Sequence, residues 1–158
     1  MKVAISSDHA GFWLKQNLLP ILETDGHEVI DLGTDSDEPV DYPDYALRVA
    51  LLVANHDVER GIFICGSGVG GNVAANKVHG VRAGLCHDTY SAHQGVEHDD
   101  MNLLCLGSRV VGKDLAIELC RAYLNANFTN EERHKRRLAK VLEIEERFSK
   151  KIGPGSAG

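Results

Sequence analysis

The chain has 158 residues, 43% of them hydrophobic and 25% charged, a globular composition with which one domain buries roughly 70% of its unfolded surface. A formal net charge of -6 argues against nucleic acid as the main partner, because binding a phosphate backbone rests on a broad basic surface; an anionic ligand has to meet local positive charge. No stretch approaches the ~20 apolar residues of a membrane span, and the opening MKVAISSDHAG lacks the apolar run of a signal peptide, so no membrane partner and a cytoplasmic location are expected.

In chain order, the apolar run Val3–Ser6 predicts a strand. It leads into Asp8-His9-Ala10-Gly11, where Asp8 suits a helix cap and Gly11 a relaxed turn, and then into helical periodicity over 10–24. Pro20 lies inside that helix, where it removes a backbone donor and predicts a kink. A strand at Glu28–Leu32 and a helix at about 42–55 follow. The third strand, Ile62–Cys65, runs into Cys65-Gly66-Ser67-Gly68-Val69-Gly70-Gly71 and a helix over 69–78. The fourth, Arg82–Cys86, runs into His87-Asp88 and a helix over 90–97. His98 and Asp99-Asp100 then read as a loop before the fifth strand, Asn102–Leu106, and a helix at 112–126. Strands alternating with helices predict an α/β fold, a three-layer α/β/α sandwich around a Rossmann-like five-stranded parallel sheet. An added C-terminal helix, Asn130–Lys150, carries an apolar stripe of Leu138, Val141, Leu142, Ile144 and Phe148 that packs either on its own sheet or on another subunit. Residues 1–150 read as a single domain and 151–158 as a flexible tail.

In open parallel sheets ligands bind beyond the carboxyl ends of the strands, where strand order reverses. The loops there carry Asp8-His9, Cys65-Gly66-Ser67-Gly68 and Cys86-His87-Asp88. The first and third strands of this class are usually neighbours, so Asp8, His9 and Cys65 are expected to share a crevice. Gly66, Gly68 and Gly71 fit G-x-G-x-x-G with Asp88 about 20 residues on, which admits a dinucleotide-binding module. The motif's place in the third strand-helix unit weighs against that reading, and a tight strand-to-helix turn accounts for the same glycines. Cys65 shifts the balance toward chemistry, because loop N–H groups and a helix start supply a positive field that favours a thiolate. The end of a core strand is also an ordinary place for a small buried thiol, and Cys86, Cys105 and Cys120 are read that way. The four cysteines show no CxxC spacing and read as reduced. His87, His93 and His98 with Asp88, Asp99 and Asp100 match no metal-ligand spacing, so no metal is expected. Arg133 and Arg137 stand four apart, on one helix face; they either grip a phosphate or belong to a solvated face balanced by Glu131, Glu132 and Glu143.

Taken in order, SSDHAGFWLK, EVIDLGT, DYPDYA, GIFICGSGVG, AANKVHGVRAGLC, YSA, EHDDMNLLCLGSRVVG and RHKRR make the chain resemble the type B ribose-5-phosphate isomerases, which group with the galactose-6-phosphate isomerase subunits, over about residues 2–148. The resemblance implies interconversion of a phosphorylated aldose and ketose without cofactor or metal, in a homodimer or larger oligomer whose sites combine residues from two subunits. It implies Cys65 as general base, His98 as the group that helps open the furanose ring, and Asp8 near that step. Ser67 and the backbone of Gly66, Gly68, Val69 and Gly70 would hold the developing negative charge. His9, Arg109, Arg133 and Arg137 would hold the phosphate, with Tyr42 and Asp99 against the sugar.

The chain departs from that family's pattern in four places. Ser67 stands where threonine is usual, Gly71-Asn72 replaces a bulkier residue and serine, Asp99 replaces asparagine, and Glu131-Glu132 replaces a glycine-rich approach to the arginines. The last two put negative charge near a site for a dianion. Either Asp99 is turned away or protonated, or the preferred sugar is another, such as allose 6-phosphate or galactose 6-phosphate. A sensor that binds sugar phosphate without turnover is the reading outside catalysis.

Overall fold

Strands covered on both faces can be apolar at every position, and the longest strands of this chain are buried along almost their whole length. The computed structural model describes residues 1–149, and the tail expected over 151–158 lies outside them. In chain order the elements are β1 (Lys2–Ser7), α1 (Phe12–Thr24), β2 (Glu28–Asp31), α2 (Tyr42–Ala54), β3 (Arg60–Cys65), α3 (Val69–Ala75), β4 (Ala83–Leu85), α4 (Thr89–Asp99), β5 (Leu103–Gly107), α5 (Lys113–Leu124) and α6 (Glu132–Phe148). The strands form one parallel sheet in the order β2-β1-β3-β5-β4, the expected α/β/α sandwich. No helix among the described residues is long and apolar enough to cross a membrane.

The two-residue period of a strand divides the core into two layers. Val3, Ile5, Ile62, Ile64, Leu104 and Leu106 face α1, α4 and α5. Ala4, Phe63, Cys65, Leu103 and Cys105 face α2 and α3. The chain leaves β1 toward β2 on one side, and β3 joins β1 on the other, so the order reverses at the β1/β3 seam. Register pairs Ser7 with Ile64 and Cys65 with Gly107, so the loops after β1, β3 and β5 emerge side by side. The loop after β4 leaves from the sheet edge beyond β5.

Local physics moved several expected boundaries. The first helix starts at Phe12 rather than residue 10, because the Gly11 N–H donates to Asp8 Oδ1 at 3.0 Å and holds the preceding turn. Gly11 serves close approach and not a relaxed turn: its φ of -87° suits any residue, but a Cβ there would collide with the Ile64 carbonyl oxygen. Helix α4 runs two residues beyond 97 and ends where Asp100 takes a left-handed φ of 50°, so His98 and Asp99 are helical rather than loop residues. Pro20 lies inside α1 as expected.

Lys15 of α1 is fully buried, and its Nζ donates to both Asp31 carboxylate oxygens at 2.6 and 2.5 Å, tying the helix to β2. The Asp31 side chain is 31% exposed, so water partly rescues the carboxylate when its partner is lost, and the cost falls below the ~3–5 kcal/mol of breaking a fully buried pair. Lys15→Met is expected to destabilise the fold by about 2 kcal/mol in urea denaturation; a loss under about 0.5 kcal/mol would show that the pair contributes no more than a surface contact.

Helix α6 meets the last turn of α4, but its apolar stripe is not covered by the sheet. Val141, Leu142, Ile144 and Phe148 are 40–72% exposed, beside a groove of ≈ 840 Å³ that Val81, Arg82 and Ala83 also line. Of the two expected packings, the one on its own sheet is not what forms.

Candidate active site

Because Phe63 and Cys65 share the β3 face toward α2 and α3, Cys65 ends its strand under the glycine loop. Its residue is 4% exposed, yet it borders an open crevice of ≈ 350 Å³ at the β1/β3 seam, with Asp8, His9, Tyr42, Gly66, Ser67, Gly70 and Arg109 around it. The shared crevice expected of Asp8, His9 and Cys65 is therefore present.

Each wall has a local cause. The His9 Nδ1 accepts the Val40 backbone N–H at 3.2 Å, so the neutral ring carries its proton on Nε2. Tyr42, at the start of α2, lies over Gly70, where a Cβ would stand 2.8 Å from the ring. Arg109 is fixed through its backbone N–H to the Gly66 carbonyl at 2.9 Å, its side chain lies against Gly66, and no carboxylate pairs with it among the described residues. Gly68 holds a left-handed φ of 79° at the N-terminus of α3, with Leu85 and the Leu106 backbone too near for any side chain. The N–H groups of Gly66, Ser67 and Gly68 meet no acceptor among the described residues, while the Val69 N–H reaches Ser67 Oγ at 3.3 Å. A thiol, a carboxylate, an imidazole N–H, a guanidinium and free amide donors thus surround one small space.

The glycine spacing has a packing explanation for its third member: a side chain at Gly71 would enter the Phe63 ring. Asp88, the acidic partner of the dinucleotide reading, caps α4 instead. Its Oδ1 accepts the Ser91 N–H at 2.7 Å, and hydrogen bonds from Ser91 hold the carboxyl below its usual range. It also leaves from the edge strand rather than the seam, so the dinucleotide reading loses the residue it needs.

The other cysteines behave as core. Burial pushes the Cys86 thiol up to about 11, with the Asp88 charge adding to it, and Cys120 up to about 12. Burial and then the neighbouring Cys65 and Cys86 push Cys105 well above the thiol range.

A second cluster forms where α4 meets α6, and none of its members lines the Cys65 crevice. The His98 ring stacks on His134 with centroids 4.0 Å apart and planes at 27°. Gln94 Nε2 lies 2.7 Å from His98 Nδ1. Arg133 contacts the same His134 ring and pairs with Glu131 at 3.0 Å, and Arg137 follows one turn on. Asp99 faces away, into the α6 groove. The candidates named from the sequence therefore fall into two groups within a chain: Asp8, His9, Tyr42, Cys65, Ser67 and Arg109 with the glycine loop, and His98, Arg133 and Arg137 apart from them. His134, Gln94 and Thr129 were not singled out by sequence. Only the run Arg133-His134-Lys135-Arg136-Arg137 pointed toward His134, and its charge drew attention to the arginines. Among the described residues no three His, Cys, Asp or Glu side chains are grouped to hold a metal ion.

Residues 3–141 match the family model described as Ribose/Galactose Isomerase. A ribose-5-phosphate isomerase B of Escherichia coli is 47% identical over 146 residues, spanning 92% of this chain and 97% of that protein. A D-erythrulose-4-phosphate isomerase of Pectobacterium atrosepticum is 38% identical over 130 residues, 81% of this chain and 85% of that one. Among solved structures, a ribose-5-phosphate isomerase B of Clostridium thermocellum superposes with a TM-score of 0.91 at 48% identity, covering 94% of this chain and all of the other.

Proposed function

The chain belongs to the ribose/galactose isomerase family, and from that premise we propose that it interconverts a phosphorylated aldose and ketose, ribose 5-phosphate and ribulose 5-phosphate first among them. The observation that carries the reading is the thiol of Cys65 opening onto a crevice walled by Asp8, His9, Ser67 and Arg109.

Aldose–ketose exchange moves a proton between C2 and C1 through an enediolate. Cys65, as thiolate, takes the proton from one carbon and returns it to the other, a positioned-base contribution of ~10²–10⁴ in rate. Negative charge growing on the oxygens meets the unengaged N–H groups of Gly66, Ser67 and Gly68 and the Ser67 hydroxyl, each such donor being worth about 3 kcal/mol. Asp8 and Tyr42 contact the sugar. His9, through its Nε2–H, and Arg109 bind phosphate, and that remote binding energy holds C1 and C2 against the sulfur.

His98, Arg133 and Arg137 belong to the same site in this reading, contributed by a second copy of the chain, while Asp99 is turned away from it into the α6 groove. Two observations support a homodimer with shared sites: the residues fall into two separate groups within one chain, and the apolar face of α6 is uncovered. His98 then assists ring opening and the two arginines complete the phosphate grip. Glu131 does not forbid a dianion there. Its pair with Arg133 is more than half exposed on both sides, and exposed pairs are worth about 1 kcal/mol or less, so a phosphate displaces it.

The test is a panel of ribose, allose, galactose and erythrulose phosphates assayed for aldose–ketose turnover with a chelator present. Turnover of ribose 5-phosphate, undiminished by the chelator, is the expected result. Turnover of another sugar alone would move the substrate within the class, and tight binding of sugar phosphates with no turnover of any would reject the enzyme in favour of a sensor.

A further inference from the structure

We propose that His134 is a positioning residue of the isomerase: a buried imidazole, locked in one tautomer between Thr129 and Arg133, that fixes His98 and Arg133 relative to each other. The inference rests on the isomerase reading for its kinetic consequences, and on hydrogen-bond logic for the lock.

The logic starts from Arg133, which has donors and no acceptor. Its Nε–H points to His134 Nε2 at 3.2 Å, so that nitrogen is bare. The ring proton is then on Nδ1 and is donated to Thr129 Oγ at 2.6 Å. The Thr129 hydroxyl, having accepted, gives its own proton to the Glu97 carbonyl at 3.2 Å, and the Thr129 N–H reaches that same carbonyl at 3.0 Å. Every donor has one destination. The chain of bonds runs from the last turn of α4, which carries His98, to the first turn of α6, which carries Arg133.

His134 is 1% exposed, so it has no water to substitute for these partners. Burial first, then His98 and Arg133, hold its pKa below the ordinary imidazole value, with Glu131 opposing and Arg137 adding. A second proton on His134 would break the Arg133 bond and set a cation between His98 and the arginines. Kept neutral, the ring is a flat spacer on which His98 stacks. Gln94 holds His98 Nδ1 from the other side, which leaves His98 Nε2 to meet the sugar. His134 touches no substrate in this scheme. It holds the group that acts on the sugar ring at a set reach from one that binds phosphate, and a displacement near 1 Å between such groups costs about 10²-fold in rate.

The experiment combines ¹⁵N NMR of the histidine side chains with kinetics on the sugar phosphate that turns over best. In the parent, His134 is expected to show a protonated Nδ1 and bare Nε2 across roughly pH 6–8. Thr129→Ser keeps the hydroxyl and stays within about twofold of the parent, whereas Thr129→Val, equal in shape, loses about tenfold in kcat/KM. His134→Phe retains a stacking ring without the bonds; it lowers kcat through His98 and raises KM through Arg133, together about 10²-fold. A proton on Nε2 or on both nitrogens at neutral pH, or equal kinetics of the Thr129→Ser and Thr129→Val variants, would overturn the proposal. Absence of turnover in the parent strikes the isomerase reading instead, and the lock is then judged by nitrogen shifts alone: a His134 pattern identical in the parent and Thr129→Val rejects it.

Discussion

Cys65→Ala is expected to lower aldose–ketose turnover by ~10²–10⁴-fold while leaving the protein folded. The size follows from what is lost: alanine removes the thiol that ends β3 at the crevice, the group assigned to take the proton from carbon, while the amide donors of the glycine loop and the groups proposed to bind phosphate stay. KM is therefore expected to move by less than kcat, because binding groups are untouched. Deleting one sulfur from a core position costs about 1 kcal/mol, within the tolerance of a domain of this size. Cys86→Ala is the control, since that thiol is buried and held near 11; its turnover should match the parent. Initial rates with a coupled or direct ketose assay decide the matter, and a Cys65→Ala enzyme within tenfold of the parent would remove the thiol from the base role.

The second large effect is a recovery. Cys65→Ala and His98→Ala subunits, each nearly inactive alone, are expected to regain activity when mixed and allowed to exchange. If a site takes Cys65 from one copy and His98 from the other, each mixed dimer has one site with both residues intact. Random exchange of equal amounts makes half the dimers mixed, which gives roughly a quarter of the parental activity. The physical basis is the separation seen within one chain: Cys65 faces α2 and α3 at the central seam, whereas His98 lies at the α4–α6 junction, and α4 packs on the opposite face of the sheet. Mixed dimers verified by differential tagging that regain nothing would place the two residues in independent roles. Arg133→Ala subunits mixed with Cys65→Ala subunits should complement in the same way, because Arg133 shares the His98 cluster.

Much of this was legible without coordinates, for reasons tied to range. Strand and helix periodicity is local, so the alternation of five strands and five helices followed by a charged helix could be read from neighbours within a few residues. The junction of Cys65 with Gly66-Ser67-Gly68 is equally local, and so is the four-residue spacing of Arg133 and Arg137. The wide match of ordered motifs supplied the family, including Arg109, whose place beside Cys65 no short-range pattern would reveal.

Tertiary contacts decided the rest. Parallel pairing of β3 with β1 and β5 placed Asp8, Cys65 and Arg109 in one crevice and sent Asp88 to the edge. Packing against Ile64 and Phe63, rather than turn geometry, explains Gly11 and Gly71. The left-handed turn at Asp100 ends α4 only after His98 and Asp99, and the Arg133 Nε–H and the Thr129 hydroxyl meet the two nitrogens of His134, the ring on which His98 stacks. Sequence by itself determined which elements form and which reactive groups end them, because those depend on spacing along a few turns of chain. Which groups face one another was decided only by the tertiary structure, because hydrogen-bond direction, burial and register join residues tens of positions apart and leave no periodic trace.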